Sequence, residues 1–379
     1  MEQRQRMLFV DNLRLGVIVL VVCMHVAVTY SGLGDWYYKE GLPLGTASFI
    51  FFAVFQCFLQ AFFMGTLFML AGYYAAASLA SKGAGGFIKG RLIRLGAPTL
   101  FYMLVINPFT VYYLKDWDHT LYPVPFTRFY AAYIEGGRVL GGTGPMWFAL
   151  ALLIFCVVFA AIRQLSGTPG RTPSPRPFPS RLPVLVALAA SALAFALRLE
   201  WPIGTNFLNM QLCYFSQYVI LFCFGIAAHG NGWLERIEYP LAVRCLAAAG
   251  LGMAVLLGFF FLSGAMAGDQ SFRGGFTWQN AAFSLWESFT GVFMTVGLVG
   301  VLRRHWNTQG AFAKSLSDSA FAVYVFHAPM LVFISLMLRG VELAALPKFL
   351  LVCAVALPVC FAAARLIRAT PVLRSLVRS

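Results

Sequence analysis

The sequence is short of charge. Of its 379 residues only 11% are Asp, Glu, Lys or Arg, and only 14 of those are acidic. A soluble domain carries about 25% charged residues, so a soluble enzyme is excluded, as is a disordered chain, which needs polarity to stay unfolded. Histidine is scarce as well, with five residues, and the eight cysteines lie singly in apolar stretches without forming a CxxC pair. They read as small buried hydrophobes, not as a disulfide framework or a metal site. No HExxH, GxSxG, P-loop or strand-linked GxGxxG occurs, so a cofactor-dependent redox enzyme has no support and no metal is expected. No segment alternates polar and apolar residues as a membrane barrel requires.

Long hydrophobic runs fill the remaining sequence, and apolar residues make up 60% of the chain. A spanning helix needs about 20 of them in succession. Ten runs qualify: 8–30, 48–78, 96–113, 145–164, 183–201, 211–229, 240–264, 278–302, 319–339 and 347–368. The fold class expected is therefore an all-α, polytopic membrane protein, read as a single domain over 1–379. The second run is overlong, and Pro98 and Pro108 should bend the third. The first run is preceded by polar residues and lacks a small-residue cleavage site, so it reads as a span, not a removed signal.

The net charge of +14 fits cytoplasmic loops facing anionic lipid better than it fits nucleic acid. More than twice as many Lys and Arg fall on the side of the N-terminus, among them Arg4, Arg6, Lys82, Lys89, Arg91, Arg94 and Arg171, as on the other. The opposite side holds Lys39, Lys115, Arg128, Arg138, Arg198, Arg273, Arg339 and Lys348. Both termini are then cytoplasmic. Trp36, Trp117, Trp201, Trp233, Trp278 and Trp306 fall near span ends, as an aromatic belt would. The outer loop at 114–144 is the longest and ends in Gly141-Gly142-Thr143-Gly144-Pro145. The Pro/Arg-rich stretch 165–182 reads as a cytoplasmic linker.

Ionisable groups inside spans are costly and mark candidate sites. The first run carries Asp11, Arg14 and His25. Arg14 and His25 are eleven residues apart, three turns and about 20°, so they share a face ~16 Å apart along the axis. Asp11 is three before Arg14, within contact. A snorkelling Arg14 and a hydrogen-bonded structural His25 are the bland alternatives; a proton-moving His25 is the functional one. Lys89, Arg91 and Arg94 precede the third run, either as a positive-inside anchor or as a grip for phosphate. Glu287 lies deep in the eighth run, as a site residue or as the structural partner of a buried cation. Tyr324 and His327 lie three apart in the ninth run, beside Pro329, in a structural bond or in a site. Trp147 opens the fourth run, lining a cavity mouth or the belt. The competing readings at this level are an enzyme, a proton-coupled transporter or saccharide exporter with a His/Glu relay, and a non-enzymatic sensor or scaffold.

In chain order these segments resemble acyltransferase family 3, integral membrane O-acyltransferases that include polysaccharide O-acetyltransferases and glucan-succinylating proteins. The resemblance runs through RMLFVDNLRLGVIVLVVCMHV, FFMGTLFMLAGYYAAASLASKGAGGFIKGRLIRLGAPTL, GPMWFALALLIF, LWESF and SDSAFAVYVFHAPML. It implies a ten-span helical enzyme of the bacterial inner membrane. Such an enzyme moves an acetyl or succinyl group from cytoplasmic acyl-CoA to a saccharide or glucan hydroxyl on the far side, with no permanently bound cofactor. His25, Arg14 and Glu287 would be its catalytic residues. Arg91, Arg94 and Lys89 would bind coenzyme A, and Asp11, Trp147, Tyr324 and His327 would meet substrate. Pro145-Met146 before Trp147 departs from the polar residues many members carry there, which puts Trp147 in doubt.

Overall fold

The computed structural model describes residues 7–167 and 174–377. Arg4, Arg6 and Arg171 of the charge pattern, and the centre of the Pro/Arg-rich stretch, lie outside the described residues. The apolar runs form helices because a backbone in hydrocarbon must satisfy its own polar groups. Among the described residues nine helical stretches are long and apolar enough to cross a membrane.

They are α1 (Leu8–Ser31), α2 (Thr46–Arg91), α3 (92–115), α5 (Trp147–Leu165), α6 (Leu182–Glu200), α7 (Phe215–Asn231), α8 (Tyr239–Leu262), α9 (Trp278–His305), α10 (Ala311–Met337) and α11 (Ala345–Ala369), with α2 and α3 continuous. A short helix, α4 (Phe126–Glu135), precedes α5. Gly83 breaks the α2–α3 run with φ 66° and ψ 173°, a conformation that only glycine adopts readily. The chain reverses there. Tyr37, in the loop between α1 and α2, bonds to Asn107, so α3 has returned to the side where α2 began. Among the described residues the path thus holds nine or ten long apolar helices, according to whether the folded-back α2–α3 stretch is counted once or twice.

The third pass is not the bent α-helix expected. It alternates α turns with three π-helical segments, Leu92–Gly96, Tyr102–Ile106 and Thr110–Lys115. Pro98 and Pro108 supply no N–H, which frees carbonyls one turn earlier. The carbonyl that Pro108 frees, Leu104 O, accepts from the Tyr130 hydroxyl at 3.2 Å. Tyr133 donates to the neighbouring Met103 O at 2.8 Å. Both tyrosines come from α4, which is why the long loop before α5 folds as a helix against α3. Asp116 orders the preceding turn by accepting from the backbone N–H of Leu121 at 2.8 Å and Tyr122 at 2.7 Å.

Small residues let the rods approach closely. A Cβ on Gly72 of α2 would fall 2.1 Å from Phe222 O of α7, and one on Gly225 would fall 2.0 Å from Met69 O. The N-terminal end of α1 is clamped by the α9–α10 loop. Asn12 donates to Trp306 O at 2.7 Å and to Thr308 O at 3.1 Å, and accepts from Gln309 at 2.9 Å.

Three expectations about the surface are corrected. Arg198 and Lys348, counted with the outer-loop charges, are buried. The stretch from Ser174 is no free linker: Ser174 N–H and Arg176 N–H donate to Gly230 O and Asn231 O at 3.0 and 2.9 Å. Phe178 then packs on Trp233 and Phe224.

Candidate active site

His25 projects from α1 near its C-terminal end, half-buried. Trp36 folds back from the following loop and lays its indole on the imidazole, 3.8 Å between centroids with planes 12° apart. From α10, His327 stacks at 5.2 Å and 19°. Trp36 and His327 are 6.2 Å apart, so the three rings lie near-parallel but offset. The contacts of the His25 ring recorded among the described residues are these two ring stackings.

His327 is fully buried. Its Nδ1 lies 2.8 Å from Tyr324 O and 3.2 Å from Val323 O. Both neighbours are carbonyl acceptors, so Nδ1 carries the proton and Nε2 of the neutral ring is a lone-pair acceptor. That Nε2 is buried without a partner among the described residues, and so is the indole N–H of Trp36. Leaving buried polar atoms unpaired costs stability. One unfilled acceptor and one unfilled donor on the two rings flanking His25 therefore point to a ligand.

A second layer holds these rings. The Tyr37 hydroxyl donates to Asn107 Oδ1 at 2.5 Å and lies 3.1 Å from the Tyr102 hydroxyl. Asn107 donates in turn to Tyr133 at 3.1 Å. Burial, and then the Glu40 carboxylate, push the ionisation of Tyr38, next along, upward. The glycine-rich end of the outer loop is shaped to this network. Gly144 has φ +47°, and a Cβ there would fall 2.4 Å from the Tyr37 hydroxyl. Tyr324 donates to Pro145 O at 2.5 Å.

At the other end of α1, Arg14 donates to Asp11 at 3.1 Å and is 40% exposed. That pairing is the one the i,i+3 spacing predicts. On the same side, after the Gly83 turn, Arg91 lies 5.1 Å over the Phe87 ring, while Lys89 and Arg94 are exposed. The π winding that begins at Leu92 turns Arg94 farther from Arg91 than an α-helix would.

A model described as an acyltransferase domain, that of acyltransferase family 3, matches residues 7–365. The chain belongs to this acyltransferase family. It is 24% identical over 340 residues to the glucans biosynthesis protein C of Salmonella paratyphi A, covering 86% of this chain and 82% of that protein. The same protein of Salmonella agona gives equal figures. That of Salmonella gallinarum is 23% identical over 342 residues, with the same shares covered. No solved structure matches. The protein is thus a multi-pass acyltransferase of the bacterial inner membrane, acyl-CoA-dependent as its family is.

Within this acyltransferase, Glu287 is engaged by a buried cation. Its carboxylate is bound to Arg198 of α6 at 2.5 Å, and Arg198 also donates to Ser284 at 3.1 Å. The guanidinium lies over Tyr214 and Phe283. Glu287 is therefore the partner of a buried cation, the bland alternative of the sequence reading. Trp147 stacks on Tyr218 at 5.8 Å, and its ring contacts lead to His327 through Phe148 and Tyr324. Sequence reasoning missed Trp36, which it placed in the belt, together with Tyr37, Tyr102, Asn107 and Tyr133. The available signal was the run Trp36-Tyr37-Tyr38, three aromatics in a short loop eleven residues past His25.

Proposed function

We propose that this acyltransferase takes an acetyl or succinyl group from cytoplasmic acyl-CoA and places it on a hydroxyl of a periplasmic or extracellular saccharide. A glucan is the acceptor favoured by the name of its relatives. The whole chain works as one domain with both termini cytoplasmic. The observation that carries the reading is the polarity of α1. One end of the helix stands with the basic groups after Gly83, and the other carries a histidine flanked by unfilled hydrogen-bonding atoms.

Arg91, Arg94 and Lys89 hold the coenzyme A phosphates, and Arg14, positioned by Asp11, guides the pantetheine arm between helices. Arg14 stands too far along the helix to touch an atom bonded to His25, ~16 Å by helical rise. It therefore serves donor binding. The acceptor hydroxyl comes from the opposite side. His25 removes its proton as its oxygen attacks the thioester carbonyl. The indole N–H of Trp36 donates to the developing oxyanion. The tetrahedral intermediate collapses by breaking the C–S bond, and the proton on His25 goes to the departing thiolate, giving the ester and free coenzyme A. The Nε2 of His327 accepts from a second hydroxyl of the same sugar and fixes its orientation. Tyr324 holds the Gly144-Pro145 turn, and Trp147 backs it through Phe148.

The test is thiol release by the protein in lipid nanodiscs from acetyl-CoA and succinyl-CoA, with and without glucose oligosaccharides. The reading predicts release from at least one donor that rises with sugar. Acyl-CoA binding without sugar-dependent release would contradict the saccharide acceptor.

A further inference from the structure

We infer that a cavity on the outer face, between the α1–α2 loop and the α10–α11 loop, is the subsite that binds the body of the acceptor saccharide; this rests on the acyltransferase reading above. The cavity is about 420 Å³ and is lined by Glu40, Leu42, Arg339, Glu342, Leu343 and Lys348, among others. Lys348 is buried and ion-paired to Oε1 of Glu40. It also donates to Arg339 O at 3.2 Å. The Glu40 side chain is only 8% exposed, and its second oxygen, Oε2, has no partner among the described residues. Across the cavity, the Arg339 guanidinium lies flat on the Trp117 ring, 3.9 Å from its centroid. A guanidinium stacked in this way presents its N–H edge outward.

The site therefore sets the unpaired Oε2 of Glu40 and the exposed guanidinium of Arg339 about an apolar floor that includes Leu42 and Leu343. An anion would meet Glu40 and Glu342, and a cation would meet Arg339 and Lys348. A hydroxyl both donates and accepts, so a neutral polyhydroxyl compound suits both walls. Position agrees. Trp36 stacks on His25 and Glu40 lines the cavity, and four residues of extended chain span at most ~14 Å. A sugar held at Glu40 and Arg339 can reach His25 with a neighbouring unit.

The experiment uses the full chain in nanodiscs, wild type, Glu40→Gln and Arg339→Met, with a set of α- and β-linked glucose pentasaccharides. Sugar binding is read by saturation-transfer NMR, and the KM for acceptor and for acyl-CoA by thiol release. Each substitution should weaken sugar binding and raise acceptor KM at least about tenfold, the worth of a charged hydrogen bond, leaving acyl-CoA KM unchanged. Arg339→Met removes an exposed side chain, so a fold check by melting temperature keeps that arm decisive if Glu40→Gln fails to fold. Unchanged sugar binding in Arg339→Met, absence of sugar binding by wild type, or displacement of the sugar by short-chain phosphatidylethanolamine would overturn the subsite. A wild type that binds sugar through Arg339 but never releases thiol would instead overturn the acyltransferase reading and leave the subsite standing.

Discussion

His327 shows how one side chain can be fixed and available at once. Its Nδ1–H is held by two carbonyls of its own helix, while Nε2 faces no partner. Asparagine places an N–H close to the Nδ1 position and nothing at Nε2. His327→Asn should therefore melt near wild type yet raise acceptor KM about tenfold; a large drop in melting temperature with unchanged KM would make the residue structural. Trp36 is tested by Trp36→Phe, which keeps a ring on His25 and removes the N–H. Loss of an oxyanion donor lowers kcat by about 100-fold or more, without raising acceptor KM. Retained kcat in that variant would remove the indole N–H from the chemistry. At this scale His25 was visible as a candidate because an ionisable residue deep in an apolar run stands out. Trp36 was not, because a tryptophan at a span end carries the same local signal whether it meets lipid or turns back to a histidine.

Between elements, the Arg198–Glu287 pair ties α6 to α9. Removing one partner of a buried pair leaves the other charge uncompensated and costs about 3–5 kcal/mol, while replacing both by apolar residues is often neutral. Arg198→Met alone should melt well below wild type, and Arg198→Met with Glu287→Leu should recover stability and turnover. A stable but inactive double variant would return Glu287 to the catalytic set. The sequence placed Glu287 correctly in a span but could not name its partner. Arg198 lies 89 positions away, at a span end where a basic residue reads as a loop anchor. The third pass was legible as a span with prolines. Its π winding was not, because that depends on Tyr130 and Tyr133 of α4 supplying donors to carbonyls of α3.

Over the whole molecule the account separates two sides. In the proposed function Arg91 and Arg94 serve the donor, and Trp36, His327 and the outer cavity serve the acceptor. Arg91→Ala with Arg94→Ala should raise acyl-CoA KM about tenfold or more, make it less sensitive to salt, and leave acceptor KM unchanged. An equal rise in both constants would contradict the division. The long apolar helices were readable from run length, since the bilayer sets it. The outer cavity was not, since it joins residues near 40 to residues near 340 and exists only once the loops meet.

The most direct measurement is single-turnover acyl transfer by wild type and His25→Ala, in nanodiscs, with acyl-CoA binding followed in the same samples. A positioned general base contributes about 10²–10⁴-fold. The account predicts that His25→Ala binds acyl-CoA as wild type does and transfers the acyl group at least about 100-fold more slowly. Transfer within a few-fold of wild type would contradict it and move the chemistry away from the first helix.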